Sequence, residues 1–307
     1  MTELSLPRIA LLDGGMGEEL VFRGVNLPWY EPLLAAPEVV RAVHADYIAA
    51  GADVITTNSY GVTRRNLAGA GMGERAAELN RLAGRLAREA REEVGRDVLI
   101  AGSLPPQSGT YRPSQVAPAA KLEPLYREQA EALYDYIDLF LCETMSTAAE
   151  ARAAAEAACA TGKPVWVSWT LGEGGRLRSG ETVSEAAAAL EGLPVSGLLV
   201  NCATPESVTA AVPQLVATGR PRGGAYANTL LPIDETTEVG WHMEIRRDLD
   251  IERYAEHAAR WLAAGANVVG GCCGTRPAHI ARLRLLIDQI SRATGMGTAA
   301  HDGRTSS

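Results

Sequence analysis

The chain contains 307 residues, of which 47% are hydrophobic and 5% aromatic, and it carries a formal net charge of −8 at pH 7. Its lysine and arginine residues are scattered and form no basic stripe, so neither a nucleic acid nor an anionic membrane is indicated as a partner. No apolar segment is long enough to span a bilayer and the N-terminus lacks a secretory pattern, so we expect a cytoplasmic protein with a mainly aliphatic core.

Eight short segments rich in β-branched residues or leucine predict buried strands. They are residues 9–12, 54–57, 98–101, 137–141, 165–169, 197–200, 224–226 and 268–269. Segments with helical spacing separate most of them, at residues 37–50, 74–94, 124–136, 147–160, 184–190, 205–216 and 251–264. This alternation is typical of a parallel sheet covered by helices.

The strand count and the length together predict an α/β fold, a single (β/α)8 TIM barrel over residues 1–292. Residues 293–307 have no apolar period, and we expect a disordered tail there. An open doubly wound sheet is the alternative, but the glycine-rich segment 13–17 lacks the spacing of a dinucleotide-binding loop. The long segments 105–120 and 228–248 follow predicted strands three and seven, on the side of a barrel that carries the chemistry.

The five cysteines indicate reduced thiols, because the chain shows no sign of secretion. Cys202 follows the sixth predicted strand, and Cys272 and Cys273 follow the eighth. All strands of a parallel barrel finish at one end, so these thiols are expected to converge. Three thiolates on Zn²⁺ leave one tetrahedral position open, as catalytic zinc requires. We interpret Cys159, in an alanine-rich helical segment, as a structural side chain. Cys142, at the end of the fourth predicted strand beside Glu143, could be structural or belong to the site, although a fourth protein thiolate would close the zinc site.

Several motifs carry a family resemblance. They are LLDGGMGEEL at 11–20, PEVVRAVHADYIAAGADVITTNSYG at 37–61, AGSLPP at 101–106, ETMS at 143–146, VNCATPE at 200–206 and GANVVGGCCGTRPAHI at 265–280. With these motifs, in order from about residue 8 to 290, the chain resembles the zinc-dependent homocysteine S-methyltransferase family. That family includes betaine–homocysteine and S-methylmethionine–homocysteine methyltransferases.

The resemblance implies a function and a set of site residues. It places Cys202, Cys272 and Cys273 on the family's zinc ligands, through which catalysis proceeds. It places five further residues on positions that hold homocysteine, namely Asp13, Gly14, Gly15, Thr57 and Glu143. The implied reaction moves a methyl group from a sulfonium donor (S-methylmethionine or S-adenosylmethionine) or a quaternary ammonium donor to homocysteine, forming methionine. Segment 107–113 differs from the forms typical of the betaine and S-methylmethionine enzymes, so the donor stays open.

The residue types agree with this chemistry but allow other interpretations. Asp13 or Glu143 could bind the α-ammonium group of an amino acid, while a helix cap and a surface ion pair are their structural alternatives. Thr57 could equally be a strand-end hydroxyl that bonds to backbone. Aromatic residues near predicted loops could surround a methylated cation or simply pack, and these are Trp29, Tyr30, Tyr111, Tyr226 and Trp241.

Two other functions remain as alternatives. One is methyl transfer to a different small thiol or selenol, and the other is a non-catalytic barrel that binds zinc or thiols. For either methyltransferase function, the expected partners are small-molecule substrates. The sequence leaves open whether the chain forms a homo-oligomer.

Overall fold

The computed structural model describes residues 4–234, 237 and 243–294. It contains an eight-stranded parallel sheet with the order β1-β8-β7-β6-β5-β4-β3-β2. The strands are β1 Ala10–Leu11, β2 Val54–Thr56, β3 Leu99–Leu104, β4 Leu139–Met145, β5 Val165–Thr170, β6 Val195–Asn201, β7 Arg222–Tyr226 and β8 Val268–Val269. A parallel bridge between Leu12 and Val54 joins the first and last strands of that order. The predicted (β/α)8 barrel is therefore confirmed.

Helices surround the sheet. They are α1 Met16–Phe22, α2 Glu31–Ala35, α3 Pro37–Ala49, α4 Arg64–Ala68, α5 Ala76–Val94, α6 Ala119–Leu133, α7 Ala148–Cys159, α8 Val183–Ala188, α9 Pro205–Ala217, α10 Ile251–Ala263 and α11 Pro277–Ala293. Three of them begin on proline (α3, α9 and α11), where the missing N–H costs no hydrogen bond. Others begin after a capping side chain, such as Thr147 before α7 and Asp250 before α10.

Helix α6 differs from the predicted segment 124–136. It begins at Ala119, one turn earlier, with Pro124 inside it, and it ends at Leu133 before a 3₁₀ turn at Tyr134–Tyr136. The proline removes the bond that its N–H would make to the carbonyl of Ala120. Ala120 is exposed, so that carbonyl remains accessible to water. A proline near an exposed helix start is thus tolerated inside the helix.

The barrel interior and the layer beneath the helices form two separate apolar clusters. Alternate residues such as Leu139, Leu141, Trp166 and Leu199 fill the interior. A Cβ at Gly197 would lie 2.6 Å from the Trp166 ring, so the glycine makes room for that indole. The larger cluster lies between sheet and helices and is rich in alanine, valine and leucine, as the composition predicts.

Strands β3 and β4 run further toward the open end of the barrel than the predicted segments 98–101 and 137–141. β3 continues to Leu104 and β4 to Met145, so Cys142 and Glu143 lie inside a strand. The extensions contain polar residues that interrupt an apolar pattern, but Ser103 donates to Glu143 Oε1 at 2.5 Å and so pairs the two strand ends. The pairing of β4 with β5 shifts register between Cys142 and Met145.

No helix within residues 4–234 and 243–294 is long and apolar enough to cross a membrane. Helix α11 ends at Ala293, and residues 295–307 of the predicted tail lie outside the described residues. The same holds for residues 235, 236 and 238–242 of the predicted loop 228–248, which include Trp241.

Candidate metal centre and substrate pocket

Three cysteine thiols meet at the carboxyl ends of β6 and β8. Cys202 follows the last residue of β6, and Cys272 and Cys273 follow β8 after two glycines. Their Sγ atoms all lie within 4.8 Å of one another, and the Sγ atoms of Cys202 and Cys273 are 3.6 Å apart. The convergence predicted from the strand positions is present in the fold.

The backbone bends sharply at each of these positions. Cys202 has φ of +48°, a conformation that side chains other than glycine rarely adopt. Gly274 has φ of +78°, and a Cβ at Gly271 would lie 2.1 Å from Thr275 Oγ1. Thr275 donates through Oγ1 to the Cys272 carbonyl at 2.6 Å and closes the turn that holds the cysteine pair. Glycine is therefore required on both sides of the pair.

The donor set fits a tetrahedral zinc ion. Zinc–sulfur bonds of about 2.3 Å place two thiolates roughly 3.8 Å apart, close to the 3.6 Å between Cys202 and Cys273. Hydrogen bonds from the thiols of Cys272 and Cys273 lower the pKa of Cys202, and the same contacts raise the pKa of both neighbours. Three such sulfurs could hold a metal and leave one position for a substrate thiol.

Two polar side chains contact these sulfurs. The Tyr111 hydroxyl lies 2.8 Å from Cys202 Sγ, and the guanidinium carbon of Arg178 lies 4.4 Å from the centre of the Tyr111 ring. The Asn201 amide nitrogen lies 4.0 Å from Cys272 Sγ, and its Oδ1 accepts from Ser168 and from the Thr144 backbone. Sequence reasoning gave Asn201 no role, although it directly precedes Cys202. Tyr111 was considered only as a loop aromatic.

A cavity of about 210 Å³ opens beside the thiols. In the described part of the chain, four residues other than glycine have positive φ, and all four line this cavity: Trp29, Tyr111, Thr144 and Cys202. Such backbone strain persists where the surrounding fold enforces it, and it concentrates at functional sites. Neither the motif spacing nor the hydropathy pattern indicates it.

Two of the expected substrate residues are buried carboxyls in the cavity wall. Asp13 accepts from the backbone N–H and the hydroxyl of Thr56, at 2.7 and 3.0 Å. Burial raises its pKa to about 8, although the Thr56 bonds lower it. Glu143 accepts from Ser103 and, at 3.2 Å, from the Tyr226 hydroxyl, and burial raises its pKa to about 7. Asp13 makes no helix cap, since α1 is preceded by Gly15 without a side-chain cap.

The remaining expected residues also line the cavity, but they have structural partners as well. Thr57 Oγ1 shares a hydrogen bond with Ser59 Oγ at 2.7 Å and accepts from the Ser103 N–H at 3.1 Å. Gly14 and Gly15 lie against the turn after β8: a Cβ at Gly15 would lie 2.8 Å from the Cys272 carbonyl. The glycines thus permit close contact between the first and last loops of the barrel.

Aromatic side chains form much of the rest of the wall. Trp29 and Tyr60 stack with ring centres 6.4 Å apart, and the Tyr60 hydroxyl bonds to Thr110 Oγ1 at 2.9 Å. Tyr111 and Tyr226 line the cavity as well, whereas Tyr30 is buried and is not among its lining residues. Sequence reasoning did not assign Tyr60 a role.

The described wall of the cavity contains acidic side chains and no basic ones. Among the described residues that line the cavity, three carry carboxyl groups, namely Asp13, Glu18 and Glu143. None of these described lining residues is lysine, arginine or histidine. Sequence reasoning missed Glu18, which lies in the first turn of α1 and within the motif at 11–20. An anionic ligand group therefore meets no basic side chain among the described residues of this wall.

Cys142 and Cys159 lie apart from the thiol cluster. Cys142 is fully buried in the apolar layer between sheet and helices, and Cys159 is half-buried at the end of α7. Within the described residues, the cluster capable of binding a metal consists of the other three cysteines.

The comparisons with known proteins cover almost the whole barrel. The sequence profile of the homocysteine S-methyltransferase family matches residues 10–287. The homocysteine S-methyltransferase of Escherichia coli (strain K12) is 34% identical over 304 residues, covering 90% of this chain and 94% of that protein. The homocysteine S-methyltransferase YbgG of Bacillus subtilis (strain 168) is 28% identical over 295 residues, covering 89% and 92% of the two chains.

Solved structures agree with the sequence relatives. The metallated form of the homocysteine methyltransferase MmuM from Escherichia coli superposes with a TM-score of 0.77 at 32% identity, over 91% of this chain and 96% of that one. Its oxidised form gives a TM-score of 0.78 at 33% identity over the same shares. Sequence and structure therefore identify the same relatives over the same part of the chain.

Proposed function

Since the chain belongs to the homocysteine S-methyltransferase family, we propose that it transfers a methyl group from a sulfonium donor to the thiol of homocysteine, forming methionine. The observation that carries this proposal is the convergence of Cys202, Cys272 and Cys273 in the wall of a cavity large enough for small molecules. The number and spacing of these sulfurs support zinc as the metal.

The three cysteines would hold the zinc ion. Zinc bound there supplies a position at which a substrate thiol is kept as a thiolate at neutral pH, and so as a nucleophile. With three thiolate ligands the site is electron-rich, which favours a nucleophilic sulfur over polarisation of an electrophile. Asn201 and Tyr111 would orient the cysteine sulfurs through the contacts at Cys272 and Cys202.

The carboxylates would hold the other end of homocysteine. We assign Glu143 to the α-ammonium group, because Ser103 and Tyr226 fix its orientation and it lines the same cavity as the thiols. Asp13 would add a second carboxyl group to the wall of the pocket while it also joins β1 to β2 through Thr56. Thr57, Gly14 and Gly15 would shape the pocket around the amino acid.

The methyl group would move by direct displacement. The homocysteine sulfur forms a bond to the methyl carbon as the bond from that carbon to the donor sulfur breaks, and the donor leaves as a neutral thioether. Charge is neutralised along this path, so an apolar wall such as that of Trp29, Tyr60 and Leu230 favours it. No proton needs to be moved at the methyl carbon.

A sulfonium donor suits the wall better than betaine does. Betaine is a zwitterion with no net charge, whereas S-methylmethionine, which also carries a carboxylate, has a net positive charge. A sulfonium amino acid such as S-methylmethionine brings an additional ammonium group, which carboxylates attract. The distribution of charge therefore supports S-methylmethionine as the first donor to test.

A donor panel tests the proposal. Zinc-loaded protein is incubated with homocysteine and, separately, S-methylmethionine, S-adenosylmethionine or betaine, and methionine is measured by mass spectrometry. We expect kcat/KM for a sulfonium donor to exceed that for betaine by about 100-fold, because a wall with carboxyl groups and no described basic side chain attracts a donor with net positive charge more than a zwitterion. Absence of methionine with every donor would refute the proposal and favour a non-catalytic zinc-binding barrel. Turnover with another thiol in preference to homocysteine would redirect it to a different acceptor.

A further inference from the structure

The three carboxyl groups of the cavity wall differ in their partners within the protein. Asp13 is bonded to Thr56, and Glu143 is bonded to Ser103 and Tyr226. Glu18 forms no ion pair within the described residues, and burial raises its pKa while the nearby backbone N–H of Gly274 opposes that shift. Glu18 is therefore the wall carboxylate with capacity for a ligand.

Glu18 lies close to the thiol cluster. Its Oε2 atom is 3.1 Å from the point that a Cβ on Gly15 would occupy, and the Cα of Cys273 is 3.2 Å from that same point. The side chain is half-buried and lines the cavity. Repulsion from the Glu18 carboxylate raises the pKa of Cys273, and repulsion from Cys202 raises the pKa of Glu18. A carboxylate therefore stands beside sulfurs that are themselves anionic when they bind a metal.

This arrangement favours the approach of a cation, because three thiolates exceed the charge of a divalent metal ion by one and the Glu18 carboxylate stands beside them. Like charges in a partly desolvated wall repel one another, and no described basic side chain compensates them. A ligand with net positive charge relieves the repulsion, whereas a zwitterion has no net charge with which to relieve it. The effect is largest for a donor, because the donor must approach the sulfur that accepts the methyl group.

We propose that Glu18 is a specificity-determining residue that selects a net cationic methyl donor over a zwitterionic one. The proposal rests on the proposed function, since it assigns the donor side of that same cavity. It differs from a structural role for Glu18 in the first turn of α1, where a carboxylate would stabilise the helix dipole without affecting donor choice.

Three sulfonium compounds distinguish the effect of the donor's net charge from the effects of its size and reactivity. S-methylmethionine and trimethylsulfonium each carry one net positive charge, whereas dimethylsulfonioacetate is a zwitterion. Each is assayed as donor to homocysteine with the wild type, Glu18→Gln and Glu18→Asp. Glutamine keeps the size of the side chain and removes its charge, whereas aspartate keeps the charge. The matched control is Glu92→Gln, which removes one charge from an exposed position on α5.

We expect Glu18→Gln to raise KM for both cationic donors by about tenfold and to change KM for the zwitterion by less than about twofold. Glu18→Asp should recover part of the loss, and Glu92→Gln should behave as the wild type. The homocysteine KM and the zinc content should stay unchanged. An equal loss of kcat/KM with all three donors, or a loss of zinc, would overturn the assignment in favour of a structural role.

A binding measurement keeps the assignment testable apart from catalysis. Trimethylsulfonium is titrated calorimetrically into zinc-loaded protein without homocysteine, so no methyl group is transferred. Glu18→Gln should bind it about tenfold more weakly than the wild type does. If methionine is never formed but this difference appears, the proposed function fails while the charge selection stands. Equal binding by both proteins would refute the selection itself.

Discussion

Cys142 and Cys202 show how two buried cysteines near the same end of one barrel differ. Both are almost inaccessible to solvent, at 0% and 3% exposure. Cys142 lies inside β4, where strand alternation sends Leu139 and Leu141 to the interior and Cys142 to the helix layer. Cys202 lies one residue beyond β6, where a φ of +48° takes it out of the alternation and into the cavity.

The environment of the two thiols follows from that difference. Burial among apolar side chains raises the pKa of Cys142, so it stays a neutral thiol. Contacts with Cys272 and Cys273 lower the pKa of Cys202 in spite of burial. Burial and proximity to a strand end are thus insufficient to identify a metal ligand. The backbone just beyond the strand decides the outcome.

The largest expected effect separates these two cysteines directly. Cys202→Ser should abolish stoichiometric zinc binding and reduce methionine formation by at least about 10³-fold, because serine is a poor zinc ligand. Cys142→Ser should retain the zinc and the activity while it lowers the free energy of unfolding by about 1–2 kcal/mol, since it buries a hydroxyl among apolar groups. Zinc analysis, the methionine assay and denaturant unfolding measure these effects. Zinc loss from the Cys142→Ser variant would contradict the distinction between a structural Cys142 and a metal-binding Cys202.

The pH dependence of zinc binding should report the same division among the thiols. At neutral pH the lowered pKa of Cys202 favours its thiolate, and the raised pKa values of Cys272 and Cys273 keep both protonated. Zinc binding should then release about two protons, so affinity should fall about 100-fold for each pH unit toward acid. Calorimetry in buffers of different ionisation enthalpy counts these protons. If zinc binding released no protons, all three sulfurs would already be thiolates in the metal-free protein.

A smaller effect concerns Tyr111, whose hydroxyl lies 2.8 Å from Cys202 Sγ. Tyr111→Phe should weaken zinc binding by about tenfold, because groups that hydrogen-bond to a metal ligand orient it. Competition with a chromophoric chelator measures the affinity. Tyr60→Phe is the matched control, since it removes a cavity hydroxyl that bonds to Thr110 instead. Equal affinities for the wild type and Tyr111→Phe would show that the contact does not act on the metal site.

Much of the molecule is predictable from the sequence because its periodicity is local. Eight apolar segments separated by helical spacing indicate the barrel, and parallel strands all end at one face. Cys202, Cys272 and Cys273 could therefore be expected to meet although 70 residues separate the first two in the chain. The motifs around them identify the family without coordinates, and the comparisons confirm it.

What only the tertiary structure decided are properties that depend on neighbours distant in sequence. The extension of β4 through Glu143 depends on Ser103 from the adjacent strand. The position of Glu18 in the cavity wall depends on the packing of the first loop and α1 against the turn after β8. The contacts of Tyr111 and Asn201 with the thiols likewise arise between separate loops. Sequence patterns record how each segment buries its own apolar residues, whereas charge pairing and backbone strain are fixed when the segments pack together.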